Sequence, residues 1–166
     1  MVHINDLKIK VKETLDIPYV YAANYLTVGG RQLGILASEG REGKCVLLDG
    51  ARRETVWDGP GGTMTICQNA PSGSFYAVQQ FFPVFDSKEA CIVSAKKEAD
   101  GWNVRKVLDA PYVHRFDYVD TADGRYLLIG QLTRGKKERT DWSQPGSLYA
   151  VRLDDEDRPQ GEPIVM

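Results

Sequence analysis

Apolar and polar residues alternate along most of this chain, in short runs broken by glycine, proline and acidic residues. Ile9-Lys10-Val11-Lys12 alternates apolar with charged, which predicts a strand over 8–15 with one face in water. Pro18 ends that strand, because proline lacks the N–H that a ladder needs. A more apolar run follows from Tyr19 to Val28, Gly29-Gly30 is a hairpin signal, and Gln32 to Ala37 returns. Glu39-Gly40-Arg41-Glu42-Gly43 turns into Lys44 to Leu48, and Asp49-Gly50 turns into Arg52 to Trp57. From Tyr19 onward this is a unit of four strands joined by short turns.

The order then recurs. Thr63 to Cys67, Phe75 to Gln80, Ala90 to Ala95 and Trp102 to Leu108 form a second set of four. Their connections are Ala70-Pro71-Ser72-Gly73, a longer loop beginning Phe81-Phe82-Pro83-Val84-Phe85-Asp86, and Glu98-Ala99-Asp100-Gly101. A third set comprises Val113 to Val119, Tyr126 to Leu132, Ser147 to Arg152 and Pro163 to Met166, with a long loop from Thr133 to Pro145. No stretch sustains a 3.6-residue apolar period with caps, so the pattern predicts an all-β chain almost without helix.

Each set of four is entered through the same junction: a hydrophobic residue, Asp, any residue, Pro. It reads Leu15-Asp16-Ile17-Pro18, then Trp57-Asp58-Gly59-Pro60, then Leu108-Asp109-Ala110-Pro111. The aspartates stand 42 and 51 residues apart, spacings in the range of propeller blades. A β-sandwich also has short, evenly spaced strands, but it gives no reason to repeat a junction every fourth strand. The expectation is therefore a β-propeller-like fold of three four-stranded antiparallel blades over 19–57, 62–108 and 112–166. In that reading 1–166 is one unit, and the strand at 8–15 is the outer strand of a neighbouring blade. Three blades cannot close a ring, and open edges invite pairing with other chains. Two completions are open: the chain is part of a larger ring, or two copies form a six-bladed ring, three plus three.

Composition narrows the partners. With 166 residues and 42% hydrophobic content the chain can bury one sizeable core, and a net charge of −2 gives no general attraction to polyanions. The one basic cluster, Arg134-Gly135-Lys136-Lys137-Glu138-Arg139, reads as a solvated loop, so no nucleic-acid partner is expected. The N-terminus lacks the apolar core of a signal peptide and no run reaches the roughly 18 apolar residues of a membrane span, which points to a cytoplasmic protein without membrane contact. Cys45, Cys67 and Cys91 are widely spaced and sit in apolar runs, as buried free thiols do.

Chemistry concentrates at one end of the predicted blades. In such a fold the junctions and the loops between second and third strands share the face around the channel mouth. The junction aspartates occur in all three copies and read as turn formers, each carboxylate fixing the turn before Pro. After the junction prolines the copies diverge into Tyr19-Val20-Tyr21, Gly61-Gly62-Thr63 and Tyr112-Val113-His114-Arg115-Phe116-Asp117. Only the third supplies His, Arg and Asp together. Strand period sets Arg115 and Asp117 on one face and His114 on the other. One reading makes Arg115 and Asp117 an ion pair and His114 a core residue. The other makes His114 a general acid or base or a single metal ligand, with Arg115 binding an anionic or hydroxyl-rich substrate and Asp117 completing a catalytic group. No His-x-His or Glu-x-x-His spacing supplies further metal ligands, and the sequence names no cofactor. The 133–145 loop adds Asp141, Trp142 and Gln144, an aromatic platform with hydrogen-bonding neighbours suited to a sugar, or else a plug on the propeller face. Gln80, Phe81 and Phe82 are placed to wall the same mouth.

The tripled junction and four-strand units resemble β-propeller proteins, over nearly the whole chain. In general character the chain is similar to the carbohydrate-active propellers of bacterial sugar metabolism, although it lacks a WD40 blade ending, a sialidase Asp-box and an FG-GAP calcium loop. The resemblance implies binding or processing of a sugar or sugar derivative at the mouth, with lyase, isomerase or hydrolase chemistry in view. The alternative is a non-catalytic protein-interaction scaffold.

Overall fold

The computed structural model describes residues 15–69, 73–82 and 86–166. The strand expected over 8–15 lies outside that range except for Leu15, as does Phe85. Twelve strands fall into three sheets of four, with no helix among the described residues. The first blade is β1 (Val20–Val28), β2 (Arg31–Ser38), β3 (Lys44–Asp49) and β4 (Arg52–Asp58). The second is β5 (Ile66–Gln68), β6 (Phe75–Gln79), β7 (Cys91–Glu98) and β8 (Gly101–Asp109). The third is β9 (Val113–Thr121), β10 (Gly124–Gln131), β11 (Leu148–Leu153) and β12 (Pro159–Val165). Each sheet is an antiparallel meander in chain order, which is the expected propeller-like, all-β arrangement of three blades.

Local chemistry accounts for the hairpins. Gly29 and Gly30 both take positive φ (55° and 77°), the backbone that a two-residue turn needs between twisted strands. Pro159 opens β12 and Pro163 sits within it, both permitted because among the described residues β12 pairs on one side only. β12 therefore starts earlier than the polar residues around it suggest. β5 starts later than expected, at Ile66 instead of Thr63. The Thr63 amide donates to the Ser38 carbonyl of the first blade (3.1 Å), so the first residues of this segment bind the neighbouring sheet instead of β6.

Blades stack face to face through two apolar layers. Ala22, Leu26, Leu33, Ile35, Ala37, Cys45, Leu47 and Trp57 of the first blade meet Ile66, Phe75, Ala77, Val93 and Ala95 of the second. Tyr76, Val78 and Ile92, which alternate with those residues on β6 and β7, meet Phe116, Leu127, Ile129 and Val151 of the third. β6 is buried along its whole length because both faces of the middle sheet are covered, so it reads as a continuous apolar run. Each large core side chain removed from water contributes about 1.5–3 kcal/mol. No helix of the described residues is long and apolar enough to cross a membrane.

One buried carboxylate fastens the second and third blades at the end away from the junctions. Asp157 sits in the β11–β12 turn at φ 60° and is only 2% exposed. It accepts hydrogen bonds from the Tyr76 hydroxyl (2.6 Å) and Ser94 hydroxyl (3.3 Å), and its oxygens lie 2.8 Å from Lys96 Nζ, 3.4 Å from Arg105 and 3.8 Å from Arg125. Burial opposes its ionisation, but Lys96, the Tyr76 hydroxyl and Arg105 outweigh burial and hold the carboxyl below its usual range.

Candidate functional site

Backbone hydrogen bonds bring the junctions and the loops between second and third strands to one face. In the first blade the Glu39 amide donates to the Tyr19 carbonyl (2.9 Å), in the second Gln80 donates to Gly61 (2.8 Å), and in the third Leu132 donates to Tyr112 (3.0 Å). The acceptor is in every case the residue after the junction proline. Each of the later junctions is also tied to the preceding blade's loop: Gly61 donates to the Arg41 carbonyl (2.9 Å) and Tyr112 to Ser87 (2.8 Å). Gly61 replaces the tyrosine of the other junctions because a Cβ there would stand 1.9 Å from the Gly40 carbonyl oxygen.

The junction aspartates do not hold these turns as expected. Two residues beyond each Asp is a proline, which has no N–H to donate. The Asp109 carboxylate pairs instead with Lys106 Nζ (2.7 Å), while Asp16 and Asp58 are exposed to solvent. The turn geometry comes from the backbone, with Tyr19 and Tyr112 in the left-handed region at φ 55° and 59°.

Three residues past each junction proline stand Tyr21, Thr63 and His114, one from each blade. The Tyr21 and His114 rings meet edge-on with centroids 6.4 Å apart, and the Phe81 and His114 rings do the same at 5.2 Å. The half-buried imidazole is thus packed against two aromatic rings. Burial, and then the neighbouring charge of Arg115, push its pKa below the ordinary histidine value, so it is largely neutral at pH 7.

Arg115 extends from β9 across both other blades. Its Nη1 donates to the Met64 carbonyl and to the Thr65 hydroxyl (3.2 Å), and Thr65 in turn donates to the His114 carbonyl (3.2 Å). The guanidinium carbon lies 5.6 Å from the centre of the Tyr21 ring, and Nη2 is 3.5 Å from the Tyr21 hydroxyl. Tyr21 remains 43% exposed, so this cluster borders open space. Thr63 is fully buried, and its hydroxyl has no hydrogen-bond partner among the described residues.

Asp117 turns elsewhere. It accepts from the Cys67 thiol (3.2 Å) and the Tyr118 amide (2.8 Å), and among the described residues no ion pair joins it to Arg115. Gln80, at φ 62°, reaches Cys91 Sγ at 3.8 Å. Phe82 lies under the Arg41 guanidinium, 4.3 Å from its ring centre, and Arg41 also pairs with Asp86, so this group links the loops of the first two blades.

The 133–145 loop is organised around its own contacts. Asp141 accepts from the Ser143 amide (2.9 Å) and the Lys137 amide (3.0 Å), and hydrogen bonds from Ser143 and Lys137 hold its carboxyl at about 2. Lys136 Nζ stands 3.4 Å from the centre of the Trp142 ring, which is 53% exposed. The Gln144 carbonyl accepts from the Arg134 amide (3.2 Å). These contacts order the loop without joining Asp141, Trp142 or Gln144 to His114. Tyr21, Thr63 and Thr65 are the mouth residues that sequence reading did not single out. Aligned on their prolines, the copies already set Tyr21 and Thr63 at the position of His114, but a tyrosine and a threonine in strands carry no chemical signal of their own.

Among the described residues no cluster of His, Cys, Asp and Glu is arranged to hold a metal ion. A groove at the opposite end of the third blade is lined by Asp120, Arg125, Arg152, Asp154 and Gln160, but Arg125 is paired with Asp155 and Asp154 with Arg158. Among known proteins, no family model and no curated protein matches this chain.

Proposed function

We propose that the chain binds a small polyhydroxylated molecule, a sugar or sugar derivative, where the inner strands of its three blades converge. The observation that carries this reading is the group of Tyr21, Thr65, His114 and Arg115. Aromatic surface, a hydroxyl, a neutral imidazole and a fixed guanidinium come from three separate blades and border open space. Flat aromatic faces suit the apolar side of a sugar ring, and the polar groups suit its hydroxyls. A neutral imidazole can accept a proton from a bound hydroxyl or carbon acid, so lyase, isomerase or hydrolase chemistry is compatible with His114 as general base.

Thermal-shift and NMR screening against neutral and acidic monosaccharides tests the reading. A ligand should perturb the Tyr21 and His114 ring signals, and His114→Ala should lose that response while melting near the wild-type temperature. If every sugar leaves both rings undisturbed, the reading is wrong. A second reading, a protein-interaction scaffold, is favoured by the solvent-facing rings of Tyr19 and Trp142. It predicts that Tyr19→Ser and Trp142→Ser abolish capture of a protein partner and leave sugar binding untouched.

A further inference from the structure

Resting on that reading of the mouth, we propose that its ligand is an acidic sugar whose carboxylate is received by Arg115. Both Nη1 hydrogens are taken by neutral acceptors, the Met64 carbonyl and the Thr65 hydroxyl. The Nη2 contact to Tyr21 is long, at 3.5 Å, and no described residue accepts from Nε. The Nε–Nη2 edge is the pair of parallel donors that matches the two oxygens of a planar carboxylate.

The charge is also uncompensated. Arg31, Arg41, Arg105, Arg125 and Arg158 each pair with an Asp or Glu. Like the exposed Arg134 and Arg152, which bond to carbonyls, Arg115 forms no such pair among the described residues, although Asp117 is two residues along the same strand. That carboxylate is engaged by the Cys67 thiol and the Tyr118 amide. The positive charge reaches His114 and adds to the effect of burial in keeping the imidazole neutral. A fixed guanidinium anchored by backbone, with one fork open beside an aromatic ring and a hydroxyl-binding imidazole, fits a uronate-type ligand. The same fork also matches a phosphate, so a sugar phosphate is tested beside the uronates.

Calorimetry of the full chain with D-glucuronate, D-galacturonate, D-glucose and glucose 6-phosphate, together with NMR titration of His114, tests the proposal. The uronates should bind about tenfold or more tightly than glucose, as expected for a charge-assisted bidentate contact. A bound uronate should raise the pH at which His114 titrates, because it neutralises the adjacent Arg115. Arg115→Gln should remove the preference for uronate over glucose, and Arg115→Lys should retain only part of it. Equal binding of glucose and uronate by the wild-type chain overturns the proposal without requiring any variant, and leaves the sugar-binding reading standing. Tighter binding of glucose 6-phosphate than of either uronate also overturns it. If none of the four disturbs Tyr21 or His114, the sugar reading falls and this proposal with it.

Discussion

Replacing Asp157 by Asn tests how the second and third blades are held together. Asn tolerates the left-handed backbone at φ 60°, and its carbonyl oxygen can still accept from the Tyr76 hydroxyl, so the substitution removes charge with little change of shape. What is lost is the anion facing Lys96 at 2.8 Å, Arg105 at 3.4 Å and Arg125 at 3.8 Å. Breaking a fully buried pair costs about 3–5 kcal/mol, but these cations keep access to water at 42%, 37% and 25% side-chain exposure and are partly resolvated. The expected loss is about 2–3 kcal/mol, which for a chain of this size lowers the melting temperature by about 4–12 °C. The pH dependence has a definite sign. Because the folded carboxyl is held below its usual range, its stabilisation is present above about pH 4 and is lost as pH falls through the folded pKa. Calorimetric melts of wild type and Asp157→Asn should therefore diverge at pH 7 and converge at acidic pH. A difference under about 1 °C at pH 7, or one of constant size down to pH 3, would refute the reasoning.

Other consequences can be measured on the same material. Thr63→Val removes a buried hydroxyl without a partner among the described residues and should leave stability unchanged or raise it by up to about 1 kcal/mol. A destabilisation above that in denaturant titration would reveal a partner for the hydroxyl. Burial pushes Cys45 and Cys91 up, and burial together with Asp117 pushes Cys67 up to about 11, so all three thiols should resist a disulfide reagent at pH 7.5 until the chain unfolds. Cys67 is only partly buried, so its slow reaction rests on its raised pKa, whereas rapid labelling of native protein at Cys45 or Cys91 contradicts their burial. On the outer faces of the first and third blades, Leu36 and Leu48, and Leu128, are only partly buried, alternate with core residues and face away from the second blade. We expect a second copy to cover them, with the third blade of one chain packing on the first blade of the other. Light scattering should then give twice the 18.5 kDa of one chain, and a well-folded monomer would remove that expectation.

The organisation into blades was legible because it rests on local signals: period-two alternation, glycine turns and a tripled Asp-x-Pro junction. Strand order within each sheet followed directly, since four strands joined by short turns form a meander. What was not legible depends on contacts between blades. The amide of Thr63 leaves its own sheet for Ser38, and nothing near Thr63 in the chain announces that. Asp157 lies in a run of charged residues that reads as a solvated turn, but its positive φ directs the carboxylate inward to Tyr76. The role given to the junction aspartates failed for a local reason, the missing N–H of the proline two residues on. At the mouth, His114 and Arg115 stood out by residue type. Tyr21 did not, because an aromatic residue in an apolar strand looks like core until its neighbours from other blades are known.

Successive junctions carry the inner strands of the three blades past one another and bring Tyr21 and His114 together. Aromatic nuclear Overhauser spectroscopy on the full chain measures this directly. Rings whose centroids stand 6.4 Å apart should give cross-peaks between Tyr21 and His114, and His114 should also contact Phe81 at 5.2 Å. Both sets of cross-peaks are predicted, and the Tyr21 set should vanish in Tyr21→Ser while the Phe81 set persists. A well-folded chain in which His114 shows no contact to Tyr21 would contradict the convergence of the blades and remove the proposed site.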